Sequence, residues 1–215
     1  MSLDFLRVDA GEAVAHSPME APARLAGARF EVRDGWNVAV EFGLGGTGAA
    51  GAQVSWADVS HLAKVELQGS GDAIGELPFG TAVRRDEAWW CRLTQTRALV
   101  IGRRPELADA DDLNVVDVTC NFAALTLVGP LARETLARFC ALDLRPQVTP
   151  VAALRPGSVG RQPGLVIRED EDRYLFLFGW ATGEYMWSVV ADATGHLGGG
   201  PVGVDALREV AAAHA

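Results

Sequence analysis

The chain has 215 residues, 49% of them apolar, and a formal net charge of −9 with a pI near 4.9. That is enough apolar material for one large domain or two small, closely packed ones. The acidic balance opposes nonspecific binding to nucleic acid or anionic lipid, either of which needs a surplus of Lys and Arg on some face. Lys64 is the only lysine, and Arg84-Arg85 and Arg103-Arg104 are the only adjacent arginine pairs.

Cys91, Cys120 and Cys140 lie too far apart for a CxxC pair or a compact zinc site, and their odd number opposes a disulfide framework. A reducing, cytoplasmic compartment and no metal are the expectation. Cys120 and Cys140 sit in apolar sequence, where a free cysteine behaves as a small core residue. The first residues, MSLDFLRVDAGE, carry early acids and no signal-like apolar run, and nothing elsewhere approaches the length of a membrane span.

Residues 1–27, rich in Ala, Pro, Glu and Asp without a clear period, read as an N-terminal arm whose later part docks on the body. Phe30, Val32, Val38, Val40 and Phe42 alternate on either side of Asp34-Gly35, the turn chemistry of a hairpin. The glycine run at 44–52 lacks dinucleotide or Walker spacing and reads as a loop.

A related unit then occurs twice. Asp58-Val59-Ser60 leads into the alternating strand from Ala63 to Leu67 and Gly69; Asp117-Val118-Thr119 leads into the strand from Ala123 to Leu127 and Gly129. After each glycine a helical stretch is expected, clearest from Leu131 to Cys140. Hairpins follow, one from Trp89–Leu93 and Leu99–Ile101, the other from Leu165–Ile167 and Tyr174–Phe178 around the acidic turn Glu169–Asp172. A further helix should bury Tyr185, Met186, Val189 and Val190, with Thr182 capping toward Glu184, and a short helix should close the chain from about Val204 to Ala213. This order predicts an α+β fold of two related strand-helix-hairpin-helix halves, 28–112 and 113–215, packed as one compact unit. A ligand site is expected between the halves.

The segment from Asp58-Val59-Ser60-His61 to Gly69 resembles the DVSH segment of the glycine-cleavage aminomethyltransferase (T-protein) family. Gly35-Trp36, Trp90–Leu93, Leu99–Ile101 and Leu125–Ala132 match the same family in order, so the resemblance spans roughly 28–193. From Asp117 through Tyr185-Met186-Trp187 the chain is also similar to the sarcosine oxidase gamma subunit, a relative of that fold. The resemblance implies the aminomethyltransferase folate-binding fold without the family's C-terminal barrel, for which the chain, ending at Ala215, has no room. It implies that Asp86 and Glu87 lie where the family places an acid near the reactive folate nitrogen. It also implies that Tyr174 lies in the segment that holds the pterin, although Leu175 stands where a second glutamate is expected.

Asp86 and Glu87 could supply a carboxylate to a bound cofactor or simply end a strand beside Arg84 and Arg85. His61, beside Ser60, has no acid partner in the sequence pattern and reads as structural. Trp89 and Trp90 point to opposite sides of one strand, so at most one faces a cleft. Trp180, Tyr185 and Trp187 crowd one helix start beyond what a narrow apolar stripe needs, which suggests a contact with a protein subunit or a second copy. The function expected is a noncatalytic folate-fold subunit linked to one-carbon metabolism. The alternatives are a minimal tetrahydrofolate-dependent aminomethyltransferase and a folate-fold protein for another ligand; tetrahydrofolate is the one cofactor implied, and the first reading requires none.

Overall fold

A computed structural model describes residues 13–43, 52–106 and 112–207. The chain begins with β1 (Ala15–His16), the short helix α1 (Glu20–Leu25) and the hairpin β2 (Ala28–Arg33) to β3 (Trp36–Phe42). Asp34 and Gly35 both take positive φ, 49° and 76°, the twist that lets two residues join antiparallel strands. The later part of the arm docks as expected: Met19 and Ala23 are fully buried. β1 pairs parallel to β3, so these three strands form a small sheet of their own.

The first series continues with β4 (Ser55–Asp58), β5 (Ala63–Gly69), the single-turn helix α2 (Gly71–Ile74), β6 (Ala82–Arg85), β7 (Ala88–Arg92) and β8 (Arg97–Gly102). The second comprises β9 (Leu113–Asp117), β10 (Phe122–Val128), α3 (Ala132–Ala137), β11 (Leu154–Val159), β12 (Gln162–Asp170), β13 (Arg173–Gly179), α4 (Gly183–Gly195) and β14 (Gly200–Pro201). In one sheet the strand order is β6-β7-β8-β5-β9, and in the other β11-β12-β13-β10-β4-β14. The first four strands of each sheet correspond one to one. The fifth strand is exchanged: β4, which leads into β5, pairs with β10, and β9, which leads into β10, pairs with β5.

β10 and β13 lie in the middle of the six-stranded sheet and are buried on both faces, which explains why Tyr174–Phe178 is apolar without interruption. One face carries Trp56, Leu125, Leu127, Tyr174, Phe176 and Phe178 and packs with residues of α1, α3 and α4. The other carries Ala57, Ala124, Leu165, Ile167, Leu175 and Leu177 and meets Trp89, Cys91, Leu99 and Ile101 of the five-stranded sheet. A third cluster, including Val65, Leu67, Val100 and Ile74, covers the remaining face of that sheet.

The helices differ from expectation in register and extent. α4 buries Met186, Trp187 and Val190, whereas Tyr185 is exposed, so the inward stripe is turned by one residue. Thr182 makes no side-chain cap to the helix; its hydroxyl donates back to the Gly179 carbonyl at 2.8 Å. The helical stretch after Gly69 shrinks to one turn, and 103–106, after the first hairpin, form no helix. The glycine run at 44–51 and most of the expected C-terminal helix, from 208 onward, fall outside the described residues. Among the described residues no helix is long and apolar enough to cross a membrane.

Candidate functional site

The strand exchange sets two Asp-x-Ser/Thr turns against each other. In the first turn Asp58 accepts from the Ser60 amide at 2.9 Å, and Ser60 Oγ accepts from the Ala124 amide at 3.1 Å. In the second, Asp117 accepts from the Thr119 amide at 2.9 Å, and Thr119 Oγ1 accepts from the Lys64 amide at 3.0 Å. Each hydroxyl accepts from a backbone donor of the opposite half, while each aspartate orders its own turn, so the DVS and DVT signatures are locks between halves.

Beside the second lock opens a cleft of about 920 Å³. Asp34 and Trp36 reach it from the first hairpin, and His61, Leu62 and Ala63 from the turn into β5. Glu87 comes from the β6–β7 turn, Arg103 and Arg104 from the end of β8, and Asp117, Thr119, Cys120 and Asn121 from the turn into β10. Arg104 pairs with Asp117 at 2.9 Å. Partial burial would raise the Asp117 carboxyl, but hydrogen bonds from Thr119 and the Arg104 charge outweigh it and hold the group below the usual carboxylate range.

Behind the cleft lies a buried charge system. Lys64 is fully buried, and its ammonium donates to the Ser60 carbonyl at 2.7 Å. Burial pushes Lys64 down to about 8, opposed by the charges of Asp58, Cys120 and Asp117. Asp58 accepts a short hydrogen bond from Ser17 of the arm; burial pushes its carboxyl up, against that bond, the bonds from Ser60 and the charge of Lys64. Burial also pushes His61 down to about 4, with Lys64 and Arg33 adding to the effect, so the ring is neutral near pH 7. Among the described residues no three His, Cys, Asp or Glu side chains gather as a metal site would require.

Glu87 is therefore in the cleft, while Asp86 lines a neighbouring hollow. The two-residue turn they form explains the divergence: φ is 46° at Asp86 and 63° at Glu87, the same geometry as the corresponding turn Gly160-Arg161, at 57° and 61°. Asp86 suits its position as Asp34 does in the first hairpin, whereas Glu87 holds a place that favours glycine. Gly102 permits the close crossing here, since at φ 125° a Cβ would lie 2.7 Å from the Glu87 carbonyl oxygen.

Tyr174 is not in the cleft. It is fully buried among Trp56, Leu127 and Phe176, with the Arg168 guanidinium 5.8 Å from its ring centre, because its place in β13 points it to the helix-covered face. Trp180, Tyr185 and Trp187 do not form one surface. Trp187 is core, 4.5 Å from Trp56 ring to ring, and Trp180 is half-buried against the cleft residue Trp36 at 5.9 Å. Of the three, Tyr185 alone is exposed. Cys120 is exposed in the cleft rather than a core residue, because it sits on the turn before β10 instead of within the strand; Cys91 and Cys140 are buried. Arg103 and Arg104 were visible as an adjacent pair but carried no pattern that placed them here.

No protein-family model and no curated protein matches the sequence. Solved structures do. A chain of the heterotetrameric sarcosine oxidase from Corynebacterium sp. U-96, in complex with pyrrole 2-carboxylate, superposes with a TM-score of 0.66 at 18% identity, over 85% of this chain and 95% of that one. The glycine cleavage system aminomethyltransferase T from Bartonella henselae superposes with a TM-score of 0.71 at 16% identity, over 93% of this chain. The chain has the fold of these two proteins. It spans 62% of the length of the aminomethyltransferase.

Proposed function

We propose that the chain is a noncatalytic folate-fold subunit of a cytoplasmic enzyme assembly in one-carbon metabolism, in the manner of the sarcosine oxidase gamma subunit. The observation that carries this reading is the superposition on a chain of the heterotetrameric sarcosine oxidase, which extends over 95% of that chain. The burial of Tyr174 supports it, because a pterin could not stack on a ring sealed in the core.

Isolation of the chain from its own cells under native conditions tests the proposal. It is expected in a stoichiometric complex whose other polypeptides oxidise an N-methylated amino acid, and the separated chain is expected not to bind 5-formyltetrahydrofolate by calorimetry. A monomer that binds this folate saturably would instead establish the second reading, a minimal aminomethyltransferase-like protein. What favours that alternative is the position of Glu87 in the cleft at the exchange between halves.

A further inference from the structure

The second hollow, about 410 Å³, lies beside the main cleft and is not used by the function proposed above. Arg85, Ala88 and Trp90 form part of its wall, since Ala88 lies opposite Arg85 across the hairpin and two residues before Trp90 on the same side of β7. Arg103 and Arg104 approach from the end of β8.

Three guanidinium groups, together with the carboxylates of Asp86 and Glu106, thus border one small concavity in a chain of net charge −9. Arg104 is committed to Asp117 at 2.9 Å. Among the described residues neither Arg85 nor Arg103 has a carboxylate partner. Arg85 lies over the Trp90 ring at 5.6 Å and donates only to the Glu76 carbonyl, at 3.3 Å. Asp86, held by a positive-φ turn, and Glu106 limit the charge the hollow can accept.

We infer that this hollow is a binding site for a small oxyanion, a phosphate or carboxylate group held between Arg85 and Arg103. Planar guanidinium forks suit such groups because each presents paired N–H donors to two oxygens. The inference is independent of the proposed subunit role, because it uses neither the main cleft's carboxylates nor an interface.

Calorimetric titration of the whole chain with inorganic phosphate, pyrophosphate and glutarate, at ionic strength fixed with chloride, tests it. Saturable one-to-one binding of at least one probe is expected; preference for the phosphates or for glutarate identifies the source of the oxyanion. Arg103→Ala should weaken that binding at least tenfold. Arg84→Ala should leave it within twofold, because Arg84 stacks on Trp89 at 5.1 Å instead of lining the hollow. Circular dichroism confirms that both variants fold. Failure of all three probes to saturate, or equal weakening by the two substitutions, overturns the assignment.

Discussion

Lys64 and Thr119, from opposite halves of the fold, are joined by a 3.0 Å bond from the Lys64 amide to Thr119 Oγ1, and Ala124 and Ser60 repeat that bond at 3.1 Å. Equivalent contacts in both directions mean that each half closes the other's first ladder. Thr119→Val keeps the shape and leaves the buried Lys64 amide without an acceptor. A loss of about 1–3 kcal/mol in unfolding free energy is expected, measured by urea denaturation. Thr119→Ser should lose much less, since it retains the oxygen.

The same pairing makes Lys64 a pH-dependent liability. Its pKa is about 8 in the fold against 10.5 unfolded, so between these values the unfolded chain binds more protons and stability rises with pH. Below pH 8 the full penalty of the buried charge is present. Lys64→Met should therefore be more stable than the parent near pH 7, by on the order of 2 kcal/mol once the lost bond to Ser60 is set against it. The advantage should shrink steadily as pH approaches 10.5. Denaturation curves of both proteins from pH 6.5 to 10.5 measure it, and a constant difference across that range would show that Lys64 is not the titrating group.

His61 has the same sign at lower pH. With its pKa near 4 in the fold and 6.5 unfolded, the parent should lose stability as pH falls from 6.5 toward 4, because only the unfolded chain takes up the proton there. His61→Gln should flatten this part of the profile. Parallel melts at pH 4.5 and 7 compare the two proteins, and the Tm difference between these pH values should be smaller in the variant.

Much of this arrangement was legible in the residues. Asp58-Val59-Ser60 and Asp117-Val118-Thr119 marked the repeat, and Asp34-Gly35 marked its hairpin, because turn chemistry and period two act locally. The exchange of β4 and β9 was not legible. An alternating strand records which side is buried but not which neighbour pairs with its edge. Tyr174 was misplaced for a related reason. A strand buried on both faces has no alternation to show whether Tyr174 looks toward the helices or toward the cleft. Trp187 is core and not surface because the inward stripe of α4 lies one residue from the register its sequence suggests.

That register makes a sharp contrast between neighbours. Trp187 packs against Trp56 and Phe42, and Trp187→Ala should lower stability by about 3–5 kcal/mol through the cavity it leaves. Tyr185→Ala, at an exposed position, should change stability by no more than about 0.5 kcal/mol. Guanidinium denaturation of the two variants gives both numbers. If the chain works within an assembly, Tyr185→Ala is the one of these changes able to weaken the complex while leaving the fold intact.

The turn at Asp86-Glu87 offers the clearest separation of fold from function. Its second position, Glu87, holds φ of 63°, as the equivalent Arg161 does at 61° in the partner turn of the other half. Such a conformation disfavours non-glycine residues by roughly 1 kcal/mol each. Glu87→Gly should therefore stabilise the chain by about that amount, because the exposed side chain gives up little packing in return. A turn kept strained at the mouth of a cleft points to use of the carboxylate it presents. The variant should accordingly melt higher and lose whatever ligand the main cleft holds. Thermal melts read the first effect; if the parent binds 5-formyltetrahydrofolate, as the second reading requires, titration with that folate reads the other. A higher Tm with unchanged binding of a cleft ligand would show that Glu87 is only a turn residue, and an unchanged or lower Tm would show that the turn carries no strain to release.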